Sequence, residues 1–278
     1  MGKTIKELLE FSLIVIDKPS GPTSYQVSDY VREKLGLRKT SHMGTLDPAV
    51  SGVLPITLNR ACKLSPYLMK KEKSYVGVMR LHENVDEDTL KAEMKKFVGT
   101  ITQTPPLRSS VKRVKRQREI AQFDFIHREG KDVLFESNVE AGTYIRTLVN
   151  DLGKIIGGAH MLELRRTKAG IFDESASVRL YDFDNAVDAY MRGDESLLRA
   201  MIIPAEEVIQ KMMPSVLVRP ASLPTLLTGK PLYQTDFLKL PSLAQGTRFA
   251  VFCNGQFIEV ARMVNEGELI ARPEFVFN

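Results

Sequence analysis

Apolar positions along the chain alternate between short strand-like runs and helical stripes. Residues 13–16 are an unbroken apolar run that ends at Asp17-Lys18-Pro19 and Gly21-Pro22, the pattern of a buried strand running into a loop. A helix is expected next: Thr23 and Gln26 stand at capping-box spacing, Val27, Val31 and Leu35 share one face, and Gly36 supplies the stop. Residues 53–58 and 75–81 read as strands, with a short helix over 61–69 between them. Asp88 is the expected cap of a helix that turns Leu90, Met94, Phe97 and Val98 inward and closes at Gly99. After the break at Thr104-Pro-Pro106, strands over 119–127 and 132–139 join through a turn at Arg128-Glu129-Gly130. Ala141-Gly142-Thr143 then opens a helix with Ile145, Leu148, Leu152 and Ile155 on its apolar face and Gly157-Gly158 at its end. Residues 159–164 form a further strand, and 181–212 read as helical, with Asp184 as a cap and Pro204 in a first turn.

Beyond Met213-Pro214 the grain changes. Residues 216–218, 248–253 and 256–263 are strand-like, and Asn254-Gly255 is a strong hairpin signal because both residues tolerate the left-handed conformation of a two-residue turn. The chain is therefore expected to divide into an α/β (α+β) domain over 1–213 and a small β-rich domain over 214–278.

Composition narrows the class. With 43% hydrophobic and 26% charged residues over 278 positions, the chain is an ordinary globular protein with apolar content for one or two cores. Cys62 and Cys253 stand alone, so neither a disulfide framework nor a four-cysteine zinc site is expected, and the simplest compartment is reducing. Charges interrupt the first residues and no apolar run approaches a membrane span, so a protein with no membrane partner is expected. The formal net charge of +5 suits a polyanionic partner. Six bases, Arg108, Lys112, Arg113, Lys115, Arg116 and Arg118, lie within eleven residues with no acid before Glu119, as a phosphate track requires, and Arg165-Arg166-Thr167-Lys168 is a second cluster.

The candidate chemistry lies in Ser41-His-Met-Gly-Thr-Leu-Asp-Pro-Ala-Val-Ser-Gly52. Pro48 pushes Asp47 away from helical geometry, and Gly44 and Gly52 allow unusual backbone angles, so the segment reads as a loop carrying one carboxylate at its crest. Neither a glycine-rich dinucleotide fingerprint nor a P-loop is present. His42, His82, His127 and His160 lack metal-ligand spacing, so no metal and no cofactor is expected.

This loop, together with Lys73-Ser-Tyr75-Val-Gly77, Pro105-Pro-Leu-Arg-Ser-Ser-Val-Lys-Arg113, Gly142-Thr-Tyr-Ile-Arg-Thr-Leu148 and Gly158-Ala-His-Met-Leu-Glu-Leu-Arg-Arg-Thr167, resembles the ordered motifs of the TruB-type pseudouridine synthases. Within that family the wording is closest to the archaeal dyskerin-like subunit of H/ACA guide-RNA particles. The resemblance implies a catalytic domain with a mixed, mostly antiparallel sheet and a small C-terminal β-barrel of the PUA type. It implies isomerisation of uridine to pseudouridine, with Asp47 as nucleophile, Arg146 paired to it, and Tyr75 stacked on the flipped base as candidate for removing its C5 proton. His42, Tyr144 and Leu164 match substrate-pocket positions. Arg108, Lys112, Arg113, Lys115, Arg116, Arg165 and Arg166 are the expected RNA contacts.

Implied partners are an H/ACA guide RNA, a substrate rRNA or tRNA, small accessory proteins of the Nop and Gar types and a kink-turn-binding ribosomal-like protein, in an archaeal cytoplasm. The short connection at 128–130 lacks the insertion of tRNA-specific bacterial members, which favours the guided branch over a stand-alone tRNA T-loop enzyme. Ser41 and Met43 depart from the family's glycine and small hydroxyl residue, and the C-terminal domain is shorter than usual. Those two departures are the support for a third reading, a non-catalytic RNA-binding scaffold.

Overall fold

The computed structural model describes residues 3–69, 72–105 and 112–278. The chain folds as two compact units, Met1–Ile202 and Ile203–Asn278. The junction lies eleven residues before the expected boundary at 213, because the helix Ala205–Met212 belongs to the second unit.

In chain order the first unit contains α1 (Ile5–Glu10), β1 (Phe11–Lys18), α2 (Ser24–Lys34), β2 (Thr40–His42), β3 (Ser51–Asn59), α3 (Ser65–Leu68), β4 (Lys73–Leu81), α4 (Glu87–Lys95), β5 (Gly99–Gln103), β6 (Arg116–Glu129), β7 (Asp132–Val139), α5 (Ile145–Ile156), β8 (Ala159–Ala169), β9 (Phe172–Asp173), β10 (Val178–Arg179) and α6 (Leu180–Met191). The sheet runs β10-β1-β3-β8-β4-β7-β6-β5. Only the β1–β10 and β3–β8 pairs along that path are parallel, so the mixed, mostly antiparallel sheet is present as expected.

Capping chemistry explains the start of α2. The Thr23 hydroxyl accepts from the Gln26 N–H while the Gln26 side chain accepts from the Thr23 N–H, a complete capping box. The cap of α4 is Asp86, not Asp88, because it is the Asp86 carboxylate that accepts from the Thr89 N–H. The face of α5 is Ile145, Leu148, Val149, Leu152 and Ile156, all buried against β4–β7, whereas Ile155 is exposed. Full burial of each large apolar side chain is worth about 1.5–3 kcal/mol, so this stripe fixes the helix on the sheet. The stretch 181–212 is not one helix: it breaks at Gly193-Asp194, and Asp184 accepts the Tyr30 hydroxyl instead of capping. A second core joins α1, α2 and α6 to β1 and β3.

At Gly52, β3 meets β8. Its φ is +105°, and an added Cβ would stand 2.2 Å from the Arg166 carbonyl oxygen, so only glycine fits the approach.

The second unit holds a five-stranded sheet of Ser215–Leu217, Arg248–Cys253, Gln256–Glu266, Leu269–Val276 and Leu232–Tyr233 in that order, around its own apolar cluster and matching a PUA-like domain. Asn254 and Gly255 have φ of 49° and 78°, the turn that the pair predicts.

Candidate active site

The loop between β2 and β3 is built from below. Lys18, the last residue of β1, is fully buried, and its ammonium donates to the carbonyls of Pro19, Pro48 and Val50 at 2.8, 3.0 and 2.8 Å. The Ser24 side chain accepts from the Leu46 N–H and donates to the Leu46 carbonyl, and the Gly21 N–H donates to Pro48 O. Leu46 and Val50 point into the core that contains Tyr75. Asp47, between them, is lifted to the crest with its side chain 57% exposed.

Arg166 is the second support. Its side chain donates to Val53 O at 2.8 Å and Gly44 O at 3.1 Å, and its backbone pairs with that of Tyr75 across the β4–β8 ladder. Burial pushes its pKa down. Lys73 is buried at the same place, with its Cε 3.2 Å from where a Cβ on Gly44 would sit; burial, then the Arg166 charge, lowers its pKa to about 8. Burial also lowers the pKa of Lys18, while the Asp47 charge raises it. Three cationic side chains therefore lie under one carboxylate loop, two of them bonded to its backbone carbonyls. Sequence reasoning gave Lys18 and Lys73 no role. For Lys18 the legible signal was a lysine just past the apolar run 13–16, where a buried unpaired charge is costly.

The Arg146 guanidinium, in the first turn of α5, lies 3.2 Å from the Asp47 carboxylate. An arginine at a helix start opposes the macrodipole, and the carboxylate supplies the anionic partner that offsets this. Both side chains are more than half exposed, so the pair is worth at most about 1 kcal/mol in water. It strengthens when a ligand displaces that water.

Around the pair, Tyr75 is 7% exposed and fixed between Ser137 and Arg166 in the sheet. His42, in β2 opposite Ile56, has a buried Nδ1 without a hydrogen-bond partner; burial, then the Arg166 charge, lowers its pKa and favours a neutral imidazole. Tyr144 is the N-terminal cap residue of α5 and lines a small cleft with Gln103, Pro105, Arg116, Arg118 and Gly142. Leu164 lies opposite Gly77 and packs on the same core as Tyr75.

The expected RNA contacts divide. Lys112, Arg113 and Lys115 are exposed, and Arg116 is half-buried in the cleft. Arg108 lies outside the described residues. Arg165 is held by both oxygens of Asp17 at 2.9 and 3.0 Å and by Glu174 at 2.6 Å. Arg166 is a correction: at 1% exposure it offers nothing to a phosphate, because strand alternation turns it inward, where it holds backbone carbonyls. Among the described residues no three His, Cys, Asp or Glu side chains converge as a metal site would require.

A family model described as TruB family pseudouridylate synthase, N-terminal domain, matches residues 32–145, and that of the tRNA pseudouridylate synthase B C-terminal domain matches 146–210. A probable tRNA pseudouridine synthase B of Pyrobaculum aerophilum is 36% identical over 276 residues, covering 98% of this chain and 83% of that protein. The chain belongs to the TruB family. It is an RNA pseudouridine synthase, an isomerase. Another TruB relative, a probable tRNA pseudouridine synthase B of Methanocaldococcus jannaschii, is 41% identical over 243 residues, covering 86% of this chain and 71% of that protein. Among solved structures, a Cbf5–Nop10–Gar1 complex gives a TM-score of 0.90 at 35% identity over 99% of this chain and 88% of that one. An H/ACA ribonucleoprotein bound to a substrate RNA containing 2'-deoxyuridine gives 0.89 at 33% identity, over 99% and 88% of the two chains.

Proposed function

We propose that this TruB synthase acts as the catalytic subunit of an H/ACA guide-RNA particle in an archaeal cytoplasm, and that Asp47 performs the chemistry. The guided reading draws its support from likeness to H/ACA complexes along 99% of the chain. On it, the substrate is uridine in ribosomal RNA, and the partners are the guide RNA, Nop- and Gar-type proteins and a kink-turn-binding protein.

The observation that carries the chemistry is the Asp47–Arg146 pair standing over the Tyr75 core. Once the target uridine has left its stack, which costs a few kcal/mol, the Asp47 carboxylate reaches the sugar and takes the place of N1 at C1′. The freed uracil turns, C5 attacks C1′ as the bond to Asp47 breaks, and the C5 proton is lost while N1 takes one up, so the product is an isomer of the substrate. Arg146 fixes the direction of the carboxylate and holds its charge when water is expelled. Tyr75, held in the sheet between β7 and β8, gives the base a flat surface and is the candidate proton acceptor; the uncharged His42, Tyr144 and Leu164 line the pocket. Lys112, Arg113, Lys115 and Arg116 carry the RNA backbone.

Asp47→Asn keeps the shape of the side chain and removes the nucleophile. The expected result is pseudouridine formation at background level with RNA affinity retained; unchanged turnover would remove the mechanism. The names of the relatives favour a second reading, modification of tRNA without a guide. Purified protein with a tRNA transcript and with a guide-matched RNA, each with and without guide and accessory proteins, separates the two. Activity confined to the complete mixture supports the guided enzyme, and efficient modification of bare tRNA replaces it.

A further inference from the structure

We propose that Gln103 is the positioning residue that aims Arg146 at Asp47. The α5 helix that carries Arg146 starts without a side-chain cap: its cap residue, Tyr144, makes none, and the loop before it turns through Gly142 at φ +86°. What holds that start is the buried amide of Gln103 at the end of β5, 3% exposed. Gln103 Oε1 accepts from the Tyr144 N–H at 3.0 Å, and Gln103 Nε2 donates to the Tyr144 carbonyl at 3.2 Å. A primary amide offers an acceptor and a donor side by side, so it pairs with both main-chain groups of one residue, Tyr144, as a residue of a neighbouring strand would.

This clamp lies two residues from Arg146. It fixes the backbone at the point where the chain enters α5, and from there the first turn delivers the guanidinium to 3.2 Å from the Asp47 carboxylate. Ile145 and Leu148 seat the helix on the core, the exposed pair adds little hold of its own, and the clamp sets the direction in which the backbone enters the first turn. Gln103 also occupies the wall of the cleft shared with Tyr144, so it supports two expected site residues at once.

The inference rests on the reading of Asp47 and Arg146 as the reacting pair, and the test keeps the two apart. Gln103→Met retains length and loses both hydrogen bonds; Gln103→Glu retains the acceptor and loses the donor. Single-turnover rates and RNA dissociation constants are measured for each, alone and combined with Arg146→Ala, under conditions where the wild-type chain is active. Misplacement of a reacting group by about an ångström costs on the order of 100-fold, so Gln103→Met is expected to slow the chemical step roughly 10- to 100-fold, with RNA affinity changed by less than about 3-fold. In the Arg146→Ala background the same replacement is expected to cost less than about 3-fold, because the group it positions has gone.

Equal losses in both backgrounds, or a loss confined to RNA affinity, would overturn the assignment. An Arg146→Ala variant as fast as wild type would instead overturn the reading of the reacting pair, and that single variant reveals it. If Gln103→Met does not fold, Gln103→Glu carries the same cycle with the same criteria.

Discussion

Arg165 and Arg166 are neighbours with opposite fates, and the reason is the two-residue period of a strand. On β8, one guanidinium turns outward to Asp17 and Glu174, the other inward to backbone carbonyls under the Asp47 loop. A basic pair in a sequence carries no record of which member is inside unless the strand is known to extend through it, and the expected strand stopped at 164. His42 is the other residue whose chemistry burial has changed. Its pKa is lowered from 6.5 in the folded chain, so the unfolded chain binds more protons as pH falls below that value. The stability this contributes is fully present above about pH 6.5 and is lost as pH falls towards the lowered folded pKa. Replacement by glutamine is therefore expected to flatten the acid side of the stability profile, by at most about 1.4 kcal/mol per pH unit, the limit for one group. Denaturant midpoints across that range check this, and parallel profiles for the two proteins would contradict it.

At the scale of elements, regular periods and caps were readable and longer-range decisions were not. The capping box of α2, the Asn254-Gly255 turn and the gist of β1, β3, β4, β6, β7 and α5 follow from local chemistry. Missed were the division of 181–212 into separate helices and the inward end of β8, which tertiary pairing decides. Glu259 shows the same limit. It sits mid-strand in Gln256–Glu266, where a glutamate suggests a solvent-facing position, yet it is fully buried and neither carboxylate oxygen has a hydrogen-bond partner. Burial, and then the nearby Asp236 charge, raise its pKa from 4.5 to about 8. Asp236 itself is held by Ser222, Lys230 and the Tyr233 N–H. With the folded pKa raised, the contribution of Glu259 to stability is fully present below about pH 4.5 and is lost as pH rises to about 8, because ionisation is free in the unfolded chain and costly in the folded one. Glu259→Gln is expected to remove that alkaline decline, on the order of a few kcal/mol, in thermal unfolding of the second unit followed from mildly acidic to alkaline pH. A wild-type midpoint that does not fall over the same range would show that Glu259 ionises without penalty.

For the whole molecule, the ordered motifs made the position of the carboxylate legible. The scaffolding beneath it was not, because Lys18, Lys73 and Gln103 act on backbone atoms contributed by distant segments, and a side chain's partner in the main chain leaves no mark on sequence spacing. The same distinction governs how the net charge of +5 is used. Many cations here are already committed: Arg166 and Lys18 to carbonyls, Arg165 to Asp17 and Glu174, Arg146 to Asp47. Lys112, Arg113 and Lys115 are instead exposed on the stretch leading into β6, beside the cleft of Arg116 and Arg118. A cation that neutralises a phosphate releases counterions, so each such contact adds about 0.7 to the slope of log affinity against log salt for single-stranded RNA. Replacing Lys112, Arg113 and Lys115 together by glutamine is expected to lower that slope by up to about 2 and to weaken binding of unrelated RNA sequences alike. Arg165→Gln is expected to leave the slope nearly unchanged, since two carboxylates already neutralise that charge. Filter binding over a salt series gives both slopes, and a triple variant with the wild-type slope would move the phosphate track elsewhere on the surface.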